Sequence, residues 1–243
     1  MMSPSSGLIS NQPALQGMLM TSGDLPEQGC VSRKSFGAAM LGCAALVTLP
    51  QESPAFQNRI APKKYPAQPG PQPQDLGLKN REKENEEGDI ISTPSLKFCG
   101  EAPNCFSSAD KDDKRHYLPP YQFSSTISRQ QAFNDVVDVI KKYEPGQNNV
   151  DGGGFEIKSQ KPYYVYAQFE SLKHAYIDDV EFYIGDDNFV QVRTSSRLGF
   201  LDFQTNAKRI NAISSALARK DGWKTTIVDE ESYPWYYGWN ADR

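Results

Sequence analysis

The segment from Asp178 to Gly199 constrains the fold most, because it has the pattern of a β-hairpin. Residues 179–184 and 190–195 each alternate apolar and polar side chains, which is the period of a half-buried β-strand. Between them lies Asp-Asp-Asn at 186–188, and these residue types tolerate the left-handed backbone conformations of a tight turn. A hairpin with one apolar face needs further secondary structure to cover that face.

The register of the hairpin follows from its apolar residues. Because directly opposed residues share a face, the apolar sets of the two strands must lie opposite each other. The pairs that satisfy this condition, around a three-residue loop, are Ile184–Val190, Phe182–Val192 and Val180–Thr194. The same register places Glu181 opposite Arg193 and Asp179 opposite Ser195, with Arg197 on the same side. We therefore predict a charged cluster of Asp179, Glu181, Arg193 and Arg197, and take these four as candidate ligand- or partner-binding residues.

The sequence around the hairpin predicts two more strands and two helices. Strand patterns cover 155–160 and 163–171, directly before the hairpin. One helix begins at Ser128, which a glutamine follows three residues later in the manner of a capping box. A second helix is predicted over 202–219. These elements predict an α+β domain over 98–223, in which two helices cover one face of an antiparallel four-stranded meander sheet.

Residues 1–55 have the pattern of a presequence. The basic pair Arg33-Lys34 precedes an apolar run of signal-peptide length, and Ala55 ends a cleavage-site pattern, so we expect processing near Phe56. The signal is similar to a twin-arginine signal, and the polar extension 1–32 before it resembles the two-part presequence of thylakoid-lumen proteins. We therefore expect a plastid protein of the thylakoid lumen, with a bacterial periplasm as the alternative compartment.

Two further segments flank the predicted domain. Residues 56–97 are rich in proline and charge, which predicts a disordered linker. The tail, 224–243, carries five aromatic residues within 233–239. It either contacts a partner or a membrane interface or packs on its own domain, and the sequence leaves these alternatives open. No apolar run approaches the roughly 20 residues of a membrane-spanning helix, so we predict no transmembrane span in the mature chain.

Two of the four cysteines, Cys99 and Cys105, lie outside the predicted presequence. An exported chain can keep a disulfide, and the intervening Gly100 and Pro103-Asn104 turn permits one. We predict a Cys99–Cys105 bridge that contributes at most about 3 kcal/mol; free thiols are the alternative. Two thiols without further Cys or His ligands do not make a zinc site, so we predict no metal and no cofactor.

The charge balance bears on the class of partner. The formal net charge is −4, and the chain lacks the basic excess that a nucleic-acid-binding face requires. We therefore expect no nucleic-acid partner.

Four motifs resemble the DUF1499 family, a family without an established reaction. In chain order they are Cys99 with Pro103-Asn104-Cys105-Phe106-Ser107-Ser108, then Asp178-Asp179-Val180-Glu181-Phe182, then Arg193-Thr194-Ser195-Ser196-Arg197-Leu198-Gly199, then Asp202 with Asn206, Arg209 and Ile210. The resemblance covers about residues 96–220. Phe106 and Thr194 stand where the family more usually has Val and Ser. The presequence, linker and tail resemble those of plastid-targeted algal members.

Two functions compete at this stage. The first is a non-enzymatic binding or assembly module, auxiliary to photosynthetic membrane complexes, whose partner is a thylakoid membrane complex or a small apolar ligand. The second is a hydrolase or transferase that uses the carboxylates of Asp179 and Glu181 as acid and base. Arg193 opposite Glu181 stabilises the charged carboxylate, which makes a poor general acid, so the sequence favours binding.

Overall fold

The computed structural model describes residues 56–84 and 87–241. The predicted presequence 1–55, with its cleavage site, lies outside the described residues. The described part is an α+β protein with antiparallel sheets and three α-helices. None of the helices in these ranges is long and apolar enough to cross a membrane.

Nine strands and three α-helices occur in the described ranges. The strands are β1 (Lys79–Glu84), β2 (Ile90–Ser95), β3 (Cys105–Ser107), β4 (Tyr121–Phe123), β5 (Gly154–Lys161), β6 (Tyr164–Glu170), β7 (Ile177–Ile184), β8 (Phe189–Ser196) and β9 (Trp223–Lys224). The helices are α1 (Arg129–Lys141), α2 (Thr205–Ala218) and α3 (Pro234–Trp239), and a short 3-10 helix spans Gln147–Asn149.

The main sheet has seven strands rather than the predicted four. Its order is β5-β6-β7-β8-β4-β9, and β3 also pairs with β8. The predicted meander is its β5-β6-β7-β8 part, in which each strand pairs antiparallel with the next. The three additional strands have only two or three residues each, too few to produce an alternating pattern in the sequence.

The predicted register of the central hairpin is confirmed. In the β7–β8 pair, Ile184 lies opposite Val190, Val180 opposite Thr194, and Glu181 opposite Arg193.

Both predicted helices are present. Ser128 caps α1 as predicted, since its hydroxyl accepts a hydrogen bond from the Gln131 amide at 3.1 Å. Helix α2 begins at Thr205, three residues later than predicted. The reason is local, because Phe203 and Gln204 have φ of 52° and 64° and cannot belong to a right-handed helix.

The helices α1 and α2 cover one face of the sheet, which we call the helix face. The residues buried between them include Val136, Ile140, Val180, Phe182, Val192, Ile210 and Ile213. The tail packs on its own domain, because the buried Tyr233 and Tyr236 place their rings 5.3 and 4.6 Å from that of Phe106. Helix α3, which the sequence did not predict, forms this contact.

Residues 56–97 differ most from the sequence prediction. Residues 56–78, which we call the strap, form neither a helix nor a strand and contact the other face of the sheet. The strands β1 and β2 follow as a separate two-stranded sheet. The Arg59 guanidinium pairs with Glu170 and donates to the Leu172 carbonyl. The Gln68 amide donates to the His174 carbonyl at 2.8 Å. The polar side chains that predicted a disordered segment therefore contact a polar face of the sheet. We call this face the strap face.

Candidate functional site

The four predicted site residues meet on the strap face as two ion pairs. The Arg193 guanidinium lies 3.3 Å from Glu181, and that of Arg197 lies 2.7 Å from Asp179 and donates to it through two nitrogens. The first pair follows from direct opposition in the hairpin. The second is diagonal, because Arg197 follows the end of β8 and reaches back along the same side.

Two tyrosines of β6 complete this cluster. The Tyr164 hydroxyl donates to Glu181 at 2.8 Å, and the Tyr166 hydroxyl donates to Asp179 at 2.6 Å. Both lie on the strap face because β6 pairs with β7 and alternate residues share a face. We name the set of Asp179, Glu181, Arg193, Arg197, Tyr164 and Tyr166 the strap-face cluster. The sequence predicted a strand over 163–171 but gave no role to its tyrosines.

The strap encloses the cluster. Its Gly77 amide donates to Glu181 at 2.6 Å, and Leu96 packs with the rings of Tyr164 and Tyr166. The side chains of Glu181 and Asp179 are 0% and 1% exposed. The predicted position of the cluster, away from the helix face, is confirmed. It is a buried cluster rather than a solvated strand face, and its cover is the strap.

Burial and neighbouring charges shift the pKa values of Tyr164, Tyr166 and Arg197. Burial raises the pKa of both tyrosines far above their usual range, and the neighbouring carboxylates add to this effect. Burial opposes the charge of Arg197, but the hydrogen bonds and charge of Asp179 outweigh it and raise the pKa of the guanidinium. The tyrosines therefore remain neutral hydrogen-bond donors and do not act as bases.

A cleft of about 460 Å³ lies beside the strap-face cluster. The residues that line it include Gln72, Gln74, Gly77, Ser159, Tyr164 and Tyr166. One wall is the strap, and the other is formed by β5 and β6. The cleft thus gives access to the tyrosine rings whose hydroxyl groups bind the buried carboxylates.

A second ionic network lies on the helix face. Arg209 of α2 is 1% exposed and lies between two carboxylates, 2.5 Å from Asp151 and 2.6 Å from Asp178. The Tyr143 hydroxyl also donates to Asp151 at 2.6 Å. Burial raises the pKa of the Asp151 carboxyl, although Arg209 opposes the shift. Asp178 and Asp179 are adjacent in β7, so the two networks lie back to back on opposite faces of one strand.

Asp202 extends the helix-face network to the tail. Its carboxylate accepts from the amides of Gln204 and Asn206, so it caps α2, and from the Tyr236 hydroxyl at 2.9 Å. Burial raises the pKa of Asp202 to about 6, and the charge of Asp178 adds to the shift. The last family motif quoted above therefore builds buried structure at the start of α2.

The segment around the two cysteines is held by a disulfide and by two serine hydroxyl groups. Cys99 and Cys105 form a disulfide with their Cα atoms 5.7 Å apart. The Ser107 hydroxyl donates to the Lys97 carbonyl at 2.8 Å, and the Ser108 hydroxyl accepts from the Val192 amide at 3.0 Å. Within 56–84 and 87–241, no group of three or more His, Cys, Asp and Glu residues is placed to hold a metal ion.

Fold and site together define an α+β domain whose sheet buries an ionic network on each face. Residues 95–217, slightly more than half of the chain, match the family model described as "Protein of unknown function (DUF1499)". The chain belongs to the DUF1499 family, as the motifs predicted. Neither a curated protein nor a solved structure matches the chain.

Proposed function

We propose that this protein is a non-enzymatic binding or assembly module, and that the cleft beside the strap-face cluster is its binding site. One observation carries the proposal. The carboxylates of Glu181 and Asp179 are both enclosed and both bound by an arginine and a tyrosine hydroxyl, while the tyrosine rings line an open cleft.

The ion pairs speak against the hydrolase or transferase alternative. A general acid must give a proton to its substrate, whereas the carboxylates of Asp179 and Glu181 are enclosed and already accept from an arginine and a tyrosine. A general base must reach its substrate, whereas Glu181 is 0% exposed and the Gly77 amide of the strap covers it. The cluster therefore serves to fix the two tyrosines and the strap in place.

The lining of the cleft indicates the ligand chemistry. The rings of Tyr164 and Tyr166 and the partly buried Leu76 offer apolar surface. The amides of Gln72 and Gln74 offer donors and acceptors, and the exposed Lys161 adds one positive charge at the cleft. Such a site suits a small apolar ligand with a few polar groups, or an apolar side chain of a partner protein. A subunit of a thylakoid membrane complex is the partner that we propose, with the small apolar ligand as the alternative.

The proposed compartment is the thylakoid lumen, with a bacterial periplasm as the alternative. The presequence pattern supports export, and the Cys99–Cys105 disulfide suits an oxidising compartment.

A cleft-filling variant tests the proposal. Ser159 lies in β5 and lines the cleft, so Ser159→Trp should block it, while Ser232→Trp places the same side chain at an exposed turn as the matched control. Tagged chains are recovered from thylakoid extract, and bound proteins and small molecules are identified by mass spectrometry. We expect the wild type and Ser232→Trp to retain a common ligand or partner, and Ser159→Trp to lose it without a change in melting temperature.

Two results would argue against this function. If Ser159→Trp recovers the same molecules as the wild type, the cleft is not the site. If the wild type turns over generic esters, phosphates or glycosides and Glu181→Gln abolishes the activity, the enzyme alternative replaces the binding module.

A further inference from the structure

Four large apolar side chains are exposed in the connection from β8 to α2 and at the end of α3. Leu198, Phe200 and Phe203, in the connection from β8 to α2, are 38%, 51% and 60% exposed. Trp239 in α3 is 48% exposed, and its ring centroid lies 5.4 Å from that of Phe200. We call these four residues the apolar tip. An exposed apolar cluster of this kind marks an interaction surface.

The connection that carries the tip is held firmly. The Asn240 side-chain oxygen accepts from the amides of Asp202 and Phe203, each at 2.9 Å. The Asn104 amide group donates to the Gly199 carbonyl at 2.6 Å, and that of Asn240 to the Pro103 carbonyl at 2.6 Å. These side chains are buried, so the exposure of the rings is fixed by the fold.

The backbone at the tip is strained. Phe203 has φ of 52°. Glycine adopts this left-handed backbone conformation readily, but it is unfavourable for a residue with a bulky side chain. The conformation directs an aromatic ring into solvent, where it contributes little to the core. The surrounding hydrogen bonds maintain this strain, although it adds nothing to stability. Such strain indicates a function for the ring.

The charged residues of the connection point inward. Arg197 is paired with Asp179 on the strap face, and Asp202 is buried beneath Tyr236. The segment 198–204 therefore presents apolar side chains and one glutamine to solvent, with both neighbouring charges neutralised inside the domain. A surface of this composition is suited to contact with an apolar medium rather than with a charged partner.

We propose that the apolar tip docks the protein onto a lipid bilayer, with the rings inserted into the interface of electrically neutral lipids. Aromatic side chains are enriched at membrane–water interfaces, where the ring is buried and a group such as the Trp239 indole N–H meets the headgroups. Lipid needs no directional partner for the rings, whereas a protein interface carries a polar rim, and the segment 198–204 exposes only one polar side chain, that of Gln204. This surface is separate from the cleft, so the inference goes beyond the proposed function.

Vesicle binding of the full chain tests the proposal. The variant Phe200→Ser/Phe203→Asn removes both rings, and asparagine tolerates the left-handed backbone at 203. The matched control is Phe189→Ser, which removes a 39% exposed ring at the opposite end of β8. We expect the double variant to lower partitioning onto phosphatidylcholine vesicles by at least about tenfold, and the control by less than about twofold.

A local readout separates the tip from the presequence, which is the same in every variant. Brominated phosphatidylcholine should quench the Trp239 contribution to fluorescence, defined by comparison with Trp239→Phe, and quenching should vanish in the double variant. The melting temperature of the double variant should be unchanged or higher, because strain at 203 is relieved.

Three outcomes would overturn the inference. In the first, the chain binds vesicles but Trp239 is not quenched. In the second, the double variant partitions as the wild type does. In the third, the wild type stays off vesicles and self-associates in sedimentation experiments, which would assign the tip to contacts between copies. If the double variant loses its thermal transition, Phe203→Asn alone serves with the same readouts.

Discussion

The two faces of the sheet bury similar ionic networks under very different covers. On the helix face, Arg209 and its two aspartates lie beneath α1 and α2, within the main apolar core. On the strap face, the ion pairs of Glu181 and Asp179 lie beneath the strap and Leu96, which make few apolar contacts. We therefore expect local displacement of the strap to let water reach the strap-face network, whereas water should reach the helix-face network only when the helices detach. We therefore predict that the helix-face network stabilises the whole fold, and that the strap-face cluster holds the strap and the two tyrosines in place.

The largest effect should come from Arg209. Arg209→Ala leaves Asp151 and Asp178 buried without their cation, so we expect the free energy of unfolding to fall by about 3–5 kcal/mol in urea denaturation. Lys142→Ala is the control, because it removes an exposed pair with Asp138 and should cost at most about 0.5 kcal/mol. Equal losses in the two variants would contradict the assignment.

The pH dependence of the helix face should follow Asp202. Its pKa is raised from 3.8 to about 6 in the folded protein, so folding favours the protonated form. This contribution to stability is fully present below the unfolded pKa and is lost as the pH rises through about 6.

Lowering the pH from about 7 to about 4 should therefore raise the free energy of unfolding by up to about 3 kcal/mol through this group. Urea denaturation of the wild type and of Asp202→Asn is measured across this pH range. The difference between their free energies of unfolding isolates the contribution of Asp202. A difference that is flat with pH, or that falls toward acid, would refute the prediction.

The free energy of unfolding should fall less when a cation is removed from the strap face. Arg193→Ala leaves Glu181 buried, but displacement of the strap lets water reach the carboxylate, so we expect a loss of about 1–3 kcal/mol. Hydrogen exchange should show lost protection at the Gly77 amide, which bonds Glu181, and unchanged protection in α2. A loss as large as that of Arg209→Ala, with both faces opening together, would show that the two covers are equivalent.

The smallest effect should come from the disulfide. The bridge joins Cys99, which follows β2, to Cys105 in β3, and so ties the segment after the strap to the sheet. Because the loop is short, Cys99→Ala/Cys105→Ala should stay within the bound of about 3 kcal/mol, cost less than Arg193→Ala, and speed hydrogen exchange mainly in 87–98. Alkylation of the native chain under non-reducing conditions is the check, since two free thiols would rule out the bridge.

The sequence predicted the parts of the fold that rest on local pattern. The register that joins Glu181 to Arg193 and Val180 to Thr194 followed from alternation alone, and the start of α1 followed from Ser128. The family motifs correctly identified the DUF1499 family.

The sequence failed where distant segments meet. The strands β3, β4 and β9 are too short for a pattern, and their pairing with β8 and β4 spans many residues of chain. The strap was predicted to be disordered because composition cannot show that a polar segment has a polar surface to cover. A signal was nevertheless present, since four ionic side chains on one side of the hairpin require either a covering segment or contact with solvent.

The adjacent acids Asp178 and Asp179 have one more consequence, for the accuracy of folding. Each binds an arginine on its own side of the sheet, Arg209 on one and Arg197 on the other. A slip of β7 by one residue turns every side chain to the opposite side. One of the two acids then takes the place of the other, but the second arginine loses this acid and Glu181 turns toward the apolar core. The shifted alignment is therefore disfavoured, because it leaves buried charges unpaired.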